Sequence, residues 1–346
     1  MAVYTHLGAE ALSALIGEFD VGSLVSAKGI AEGVSNSNWL IETDGCGIAD
    51  NAGWPPAGGT SRFILTVYEA RTEIGELPFF LGLLDHLADK HRRNGGCPVP
   101  RTIHDRAGAS FRWVKGPDGG RHAAALIEFL PGVSVSQPTA SQAGAVGAAL
   151  ARMHLAVADF ATTRPNTMGP PAWRALLDDC GAEGLASIDW ALPGLVEYHL
   201  AALARDWPKG LPTGIIHADL FPDNVLMLGS DVTGLIDFYF ACTDITVYDV
   251  AVAHAAWCFY GDGTHFDATI SAALLSGYES VRPLSPAERA ALPILAQGAA
   301  MRFLATRAYD WLHTPATALV TRKDPMAFAR RLEFYASAEG GKIFAA

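Results

Sequence analysis

The sequence predicts an α+β protein of two lobes: a small antiparallel-sheet lobe with one helix, then a larger, mainly helical lobe. Three observations predict it. Strand-like runs rich in Ile, Val, Phe and Tyr, separated by Gly, Pro and Asp clusters, fill most of residues 21–129. Helical periodicity dominates after "EFLPGVSVSQPT". A length of 346 residues with 50% hydrophobic side chains can build two cores. The division expected is 1–125 for the N-terminal lobe, 126–133 for a connector and 134–346 for the C-terminal lobe.

In chain order, residues 8–17 read as a short helix. Strands follow at Val21–Ile30, Asn38–Thr43, Arg62–Glu69, Phe111–Lys115 and Ala123–Phe129. The turn-rich segment 44–61 reads as an exposed insertion between two of them. One helix interrupts the strands: Pro78 suits a first turn, and Phe79, Phe80, Leu83, Leu84 and Leu87 follow at helical spacing up to Asn94-Gly95-Gly96. Thr139 can cap a helix whose Ala143, Val146, Gly147, Leu150 and Met153 form one apolar stripe. Further helices are expected at 172–180, 192–206, 246–259, 267–280, 287–313 and 325–338, with short strands at Gly214–Ile216, Val225–Leu228 and Thr233–Ile236.

A net charge of −11 disfavours nucleic-acid binding, because no basic stripe is available to displace counterions from a phosphate backbone. Five scattered cysteines form no C-x-x-C pair and point to a reducing cytoplasm rather than to zinc or a redox dithiol. The N-terminus lacks a basic and then apolar export signal, and no apolar run reaches the roughly 20 residues that span a bilayer.

Only 18% of the residues are charged, yet "IIHADLFPDNVLMLGSDVTGLIDF" sets four acids among apolar segments. Burying an unpaired carboxylate is costly, so this stretch is the first place to look for chemistry. His217, Asp219 and Asn224 stand as H-x-D-x-x-x-x-N, the spacing of a kinase catalytic loop, and "IDF" follows with Asp237 at a strand end. Phosphoryl transfer needs a base beside the acceptor hydroxyl and a cation on the phosphate oxygens. Asp219 is the expected base, while Asn224 and Asp237 supply hard oxygens for Mg²⁺. His217 is expected to brace the loop. Asp249 is expected to join a helix start to it, and Asp223 and Asp231 read as solvated turn residues.

For the nucleotide there is no G-x-x-x-x-G-K-[ST] loop. "EGVSNSNW" lies between two strands instead, with Gly33 permitting a sharp turn and Ser35, Asn36, Ser37 and Asn38 offering small polar groups and amides to ATP phosphates. "FILTVYEAR" carries Thr66 near the point where a kinase strand bears its lysine. Arg71 and Lys28 are alternative phosphate cations, and Glu73 or Glu76 the helix-side acid. The connector "ALIEFLPG" would offer main-chain hydrogen bonds to adenine at Glu128 and Leu130.

These segments, together with "ELPFFLGLLDHLA", "CPVPRTI", "GAALARMHLA", "GLIDFYFACTDITVYDVAV" and "MRFLATRAYDW", resemble the aminoglycoside phosphotransferase and choline kinase superfamily of small-molecule kinases. The match runs from about residue 30 to 312. "DFYFACTD" and "RFLATRAYDW" are most similar to its bacterial homoserine kinase branch. The resemblance implies a bilobal protein-kinase-like fold and ATP-dependent phosphorylation of the homoserine hydroxyl, a step toward threonine. The chain departs from that pattern at Ala255, where a polar residue, often Asn, is expected. Homoserine carries a carboxylate and an ammonium, so its pocket needs a cation and an anion. Arg302 and Arg307, on one expected helix, could fork the carboxylate, and Asp244 could meet the ammonium. The alternatives are a kinase for another small hydroxylated or cationic compound, such as an aminoglycoside, choline or methylthioribose, and a nucleotide-binding scaffold without activity.

Overall fold

The computed structural model describes residues 5, 7–30, 36–45, 61–69, 73–116, 119–314 and 322–345. Gly33, Ser35, Arg71 and most of the 44–61 insertion lie outside them. The chain divides into two compact units, residues 1–89 with 99–130 and residues 90–98 with 131–346.

In the first unit, α1 (Ala9–Ile16) precedes β1 (Leu24–Ile30), β2 (Ser37–Thr43) and β3 (Ser61–Val67). Helix α2 (Leu77–Asn94) follows, then β4 (Thr102–Ile103), β5 (Arg112–Lys115) and β6 (Arg121–Glu128). All pairings are antiparallel, in the order β1-β2-β3-β6-β4 with β5 also on β6. Alternation makes this sheet one-sided: along β2, Ser37, Trp39, Ile41 and Thr43 are buried while the residues between them are half-exposed. Trp39 and Ile41 join Phe63, Leu65 and Leu126 in a core closed by Leu12, Leu15 and Ile16 of α1. Helix α2 buries its predicted stripe and carries His91, Arg92 and Arg93 in its last turn, where the helix dipole favours cations. Asp85 pins α2 to β4 by accepting the Thr102 N–H at 3.1 Å and lies 2.7 Å from His104 Nε2. The sequence missed β4, because two residues are too short to show a period.

The second unit contains α3 (Ala140–Ala156), α4 (Pro170–Ile188), α5 (Leu192–Asp206), β7 (Thr213–Ile216), β8 (Val225–Leu228), β9 (Asp231–Leu235) and β10 (Cys242–Ile245). It closes with α6 (Thr246–Trp257), α7 (Ala268–Glu279), α8 (Pro286–His313) and α9 (Met326–Ala336). Thr139 caps α3 through a full capping box with Gln142. Helices α3 and α7 nearly touch: a Cβ on Gly147 would stand 2.1 Å from the Leu274 carbonyl oxygen. Helix α6 is buried along its whole length. Its His254 is satisfied by Tyr335 OH at 2.6 Å and Ser271 Oγ at 2.8 Å, and burial pushes it down to about 3, so it is neutral. Two short antiparallel pairs, β7 with β10 and the hairpin of β8 with β9, frame the segment of interest. Strand β10 was not predicted; "CTDI" is too short and polar for a strand signal.

Candidate active site

The eight residues between β7 and β8 are His217 to Asn224, and their backbone is bound at nearly every turn. Asp249 of α6 accepts the His217 N–H at 2.6 Å and the Ala218 N–H at 2.8 Å. Arg302 of α8 donates Nη1–H to the Ala218 carbonyl. The Trp257 indole N–H reaches the Leu220 carbonyl at 2.9 Å. Asn224 donates from Nδ2 to the Asp219 carbonyl at 2.8 Å and to Asp219 Oδ2 at 3.2 Å. Buried main-chain groups need partners, and here side chains from two distant helices provide them.

His217 is buried, and burial depresses its basicity, which keeps the ring neutral. Its Nε2 donates to the Ile236 carbonyl at 3.0 Å while Nδ1 accepts the Asp219 N–H at 3.3 Å. The Ile236 N–H in turn donates to the Asn224 carbonyl at 3.0 Å. The loop is thereby tied to the strand end that carries Asp237. Ala218 (φ 62°) and Asp237 (φ 64°) are the two non-glycine residues in the left-handed region among the described residues. Such strain persists where surroundings over-determine it, and it clusters at functional sites.

The structure brings Asp219, Asn224 and Asp237 into one neighbourhood. Burial pushes Asp219 up to about 7; Arg302 and Lys323 oppose the rise, and Asp237 and Asp223 add to it. Burial also raises Asp237, to about 6, with Asp223 adding to the effect. Asp237 is nonetheless exposed, so its rise comes from the mass of protein around the group while the carboxylate keeps a path to water. Asp249 goes the other way. Burial would raise it, but the hydrogen bonds from His154 Nε2 (3.1 Å) and from the His217 backbone N–H hold it below the usual carboxylate range.

The donor chemistry suits magnesium. With Nδ2 turned to Asp219, the Asn224 amide has its oxygen left as acceptor, and the exposed Asp237 adds a carboxylate. Magnesium takes few protein ligands and completes its shell with water and phosphate oxygens. Among the described residues no group of three His, Cys, Asp or Glu side chains is arranged to hold a metal.

The three residues expected to bind the acceptor are used differently. Arg302 is 2% exposed, with one arm on the Ala218 carbonyl, its Nε buried and its guanidinium 4.7 Å from the Phe303 ring. The expectation of a free carboxylate fork is therefore corrected: Arg302 braces the loop. Arg307 is half-buried over Phe328 and donates to the Asp324 carbonyl at 3.2 Å; burial lowers it to about 10. Asp244 lies on β10 and accepts from Asn166 Nδ2 (2.6 Å) and the Ile245 N–H (2.7 Å), so each oxygen already has a donor. Ala255 is fully buried.

In the first unit, the described residues expected to meet the nucleotide are largely engaged by other groups of the same unit. Ser37 is buried, donating to Glu69 Oε1 at 2.5 Å and accepting the Thr5 N–H at 3.1 Å. Asn36 Oδ1 accepts the Glu69 N–H at 3.3 Å, and Thr66 donates to Asn38 Oδ1 at 2.8 Å. Of the polar groups and amides expected of Ser37 near phosphates, the hydroxyl is buried and engaged by Glu69. Lys28 is exposed on the edge strand β1. Of the Glu128 main-chain groups expected near adenine, the N–H donates to the Arg101 carbonyl at 3.0 Å. Leu130 is half-buried and lies beyond the last β3–β6 ladder pair.

The chain matches the phosphotransferase enzyme family over residues 26–284. The chain belongs to the phosphotransferase enzyme family. It is 49% identical to a homoserine kinase of Gluconobacter oxydans over 343 residues, 98% of this chain and 99% of that one. It is 46% identical to a homoserine kinase of Xanthobacter autotrophicus over 347 residues, 99% of each. Among solved structures it is similar to a microcompartment-associated aminopropanol kinase, with TM-score 0.68 and 21% identity, covering 97% of this chain and 100% of that one. An amicoumacin kinase bound to AMP-PNP and Ca²⁺ gives TM-score 0.67 at 15% identity, covering 96% and 94%. These two share its protein-kinase-like fold.

Sequence reasoning missed three residues of this phosphotransferase. Glu69 collects the polar side chains of the first unit, and only its place at the end of "FILTVYEAR" hinted at it. His154 supports Asp249 from α3, inside a helix whose periodicity read as core alone. Lys323 lies beside Asp223, 3.6 Å from its carboxylate, a hundred residues further along the chain.

Proposed function

We propose that this phosphotransferase moves the γ-phosphoryl group of ATP to the side-chain hydroxyl of L-homoserine, forming O-phospho-L-homoserine and ADP. The observation that carries the reading is identity of 46–49% to several homoserine kinases over nearly the whole of both chains.

In this reading Asp219 faces the acceptor. As the homoserine oxygen bonds to the γ-phosphorus and the bond to the β–γ bridging oxygen breaks, the hydroxyl proton passes to a carboxylate oxygen of Asp219. A carboxyl raised to about 7 is matched to proton transfer near neutrality. Asn224 and Asp237 would hold Mg²⁺, which when bound neutralises charge on the phosphate oxygens. His217, Asp249 and Arg302 keep the loop in the left-handed turn that aims Asp219. Four buried free cysteines, Cys97, Cys180, Cys242 and Cys258, suit a reducing cytoplasm. Among the described residues no helix is long and apolar enough to cross a membrane.

The test is coupled ADP release with Mg-ATP and a panel of homoserine, choline, methylthioribose and kanamycin. Selective turnover of homoserine is expected. Selective turnover of another acceptor would overturn the substrate and leave the kinase chemistry intact.

A further inference from the structure

We propose that Lys323 is the cation that receives the carboxylate of the amino-acid acceptor, an assignment that rests on the homoserine reading above. An acceptor with a carboxylate needs a positive partner near the base that takes its hydroxyl proton, because only a few carbons separate the two groups. Arg302 cannot serve, being buried and bonded to the loop it supports.

Lys323 has the placement and the freedom that Arg302 lacks. Its ammonium lies 5.9 Å over the ring of Phe221, two residues from Asp219. Phe221 is itself seated, with its ring 4.7 Å from that of Phe303 and 6.1 Å from that of Phe328. The charge of Lys323 acts on both Asp219 and Asp237.

The present partner of Lys323 is weak. Its Nζ stands 3.6 Å from Asp223 Oδ2, beyond a good hydrogen bond, and both side chains are more than 60% exposed (62% and 63%). An exposed pair of this kind contributes little and exchanges readily. A lysine on a flexible four-carbon stem can therefore turn from Asp223 to an incoming carboxylate.

The neighbouring backbone is fixed. Arg307 donates to the Asp324 carbonyl, and Asp324 Oδ1 accepts the Met326 N–H at 2.8 Å at the start of α9. Arg307 is thus a positioning residue for the segment that presents Lys323. This accounts for an arginine near the site with one arm engaged by the chain itself.

The experiment compares wild type, Lys323→Met and Lys323→Arg with L-homoserine and its methyl ester as acceptors. Thermal melts confirm that each variant is folded. Losing a charge-assisted contact should raise KM for homoserine about tenfold to a hundredfold in Lys323→Met, with KM for ATP within about twofold of wild type. Lys323→Arg should recover most of the loss. The uncharged ester should be used with similar kcat/KM by wild type and Lys323→Met. An unchanged KM for homoserine would overturn the assignment. So would an equal fall in kcat for acid and ester, which would place Lys323 on the transferred phosphoryl group. Wild type inactive on homoserine would overturn the acceptor reading itself, and that result is read before any variant is made.

Discussion

Two polar segments of this chain look alike in sequence and are used in opposite ways. In His217–Asn224, main-chain groups are satisfied from outside by Asp249, Arg302 and Trp257, and the Asp219 carboxylate takes a single loop bond, from Asn224 Nδ2. In Asn36–Asn38, the side chains bond to Glu69 and Thr66 within the sheet. What such a segment still offers a ligand is mainly its backbone. The difference teaches that a side chain stays free for chemistry only where other groups have taken over holding its loop.

The largest effect that tests this contrast is at Asp219. Asp219→Asn should lower kcat by about 10²–10⁴-fold while the fold persists. It should also stabilise the metal-free protein. With a folded-state value of about 7 against an unfolded value of about 3.9, the folded state binds the extra proton between those limits. Stability therefore falls as pH rises from about 4 to about 7, and the Asn variant escapes that loss. Melting curves should show the gap between variant and wild type widening over that interval. A gap that stays constant with pH would mean that Asp219 is not held protonated by its surroundings.

Asp249→Ala should do the reverse. The substitution strands two loop N–H groups and His154, and removing one partner of a buried charged network costs about 3–5 kcal/mol. The Asp249 carboxyl is held below its ordinary value, so its contribution is present at neutral pH and is lost as pH falls below about 4. Urea unfolding at pH 7 and at pH 3 should show a large deficit that shrinks in acid. Equal deficits at both pH values would break the contrast with Asp219.

Why Asp219 and Asp249 were unequally legible follows from what spacing encodes. His217, Asp219, Asn224 and Asp237 sit in one short stretch at offsets fixed by loop and hairpin geometry, so a pattern finds them. Their supports come from α3, α6 and α8, and nothing in the local sequence of His154 or Arg302 marks a partner in the loop. The helix periods could be read because α6, α7 and α8 bury long faces; β4 and β10 are too short to carry a period. Arg302 was misassigned because its charge was visible in the sequence and its burial was not. The burial of the Ser37 hydroxyl was equally hidden: alternation along β2 turns it to the buried face, where it meets Glu69.

The smallest effect is the sharpest check on the first unit. Ser37→Ala removes a hydroxyl that links Thr5 and Glu69, but Thr5 keeps its own bonds to Glu69, from N–H at 3.1 Å and from Oγ1 at 3.0 Å. The loss should thus be about 1 kcal/mol, the net value of one hydrogen bond. It should appear as a modest drop in melting temperature. Because the hydroxyl is buried against Glu69, KM for ATP should stay within about twofold of wild type. A tenfold rise in that KM with unchanged melting temperature would mean that the hydroxyl leaves Glu69 for the nucleotide when ATP arrives. The two polar segments would then differ only in the ligand-free state.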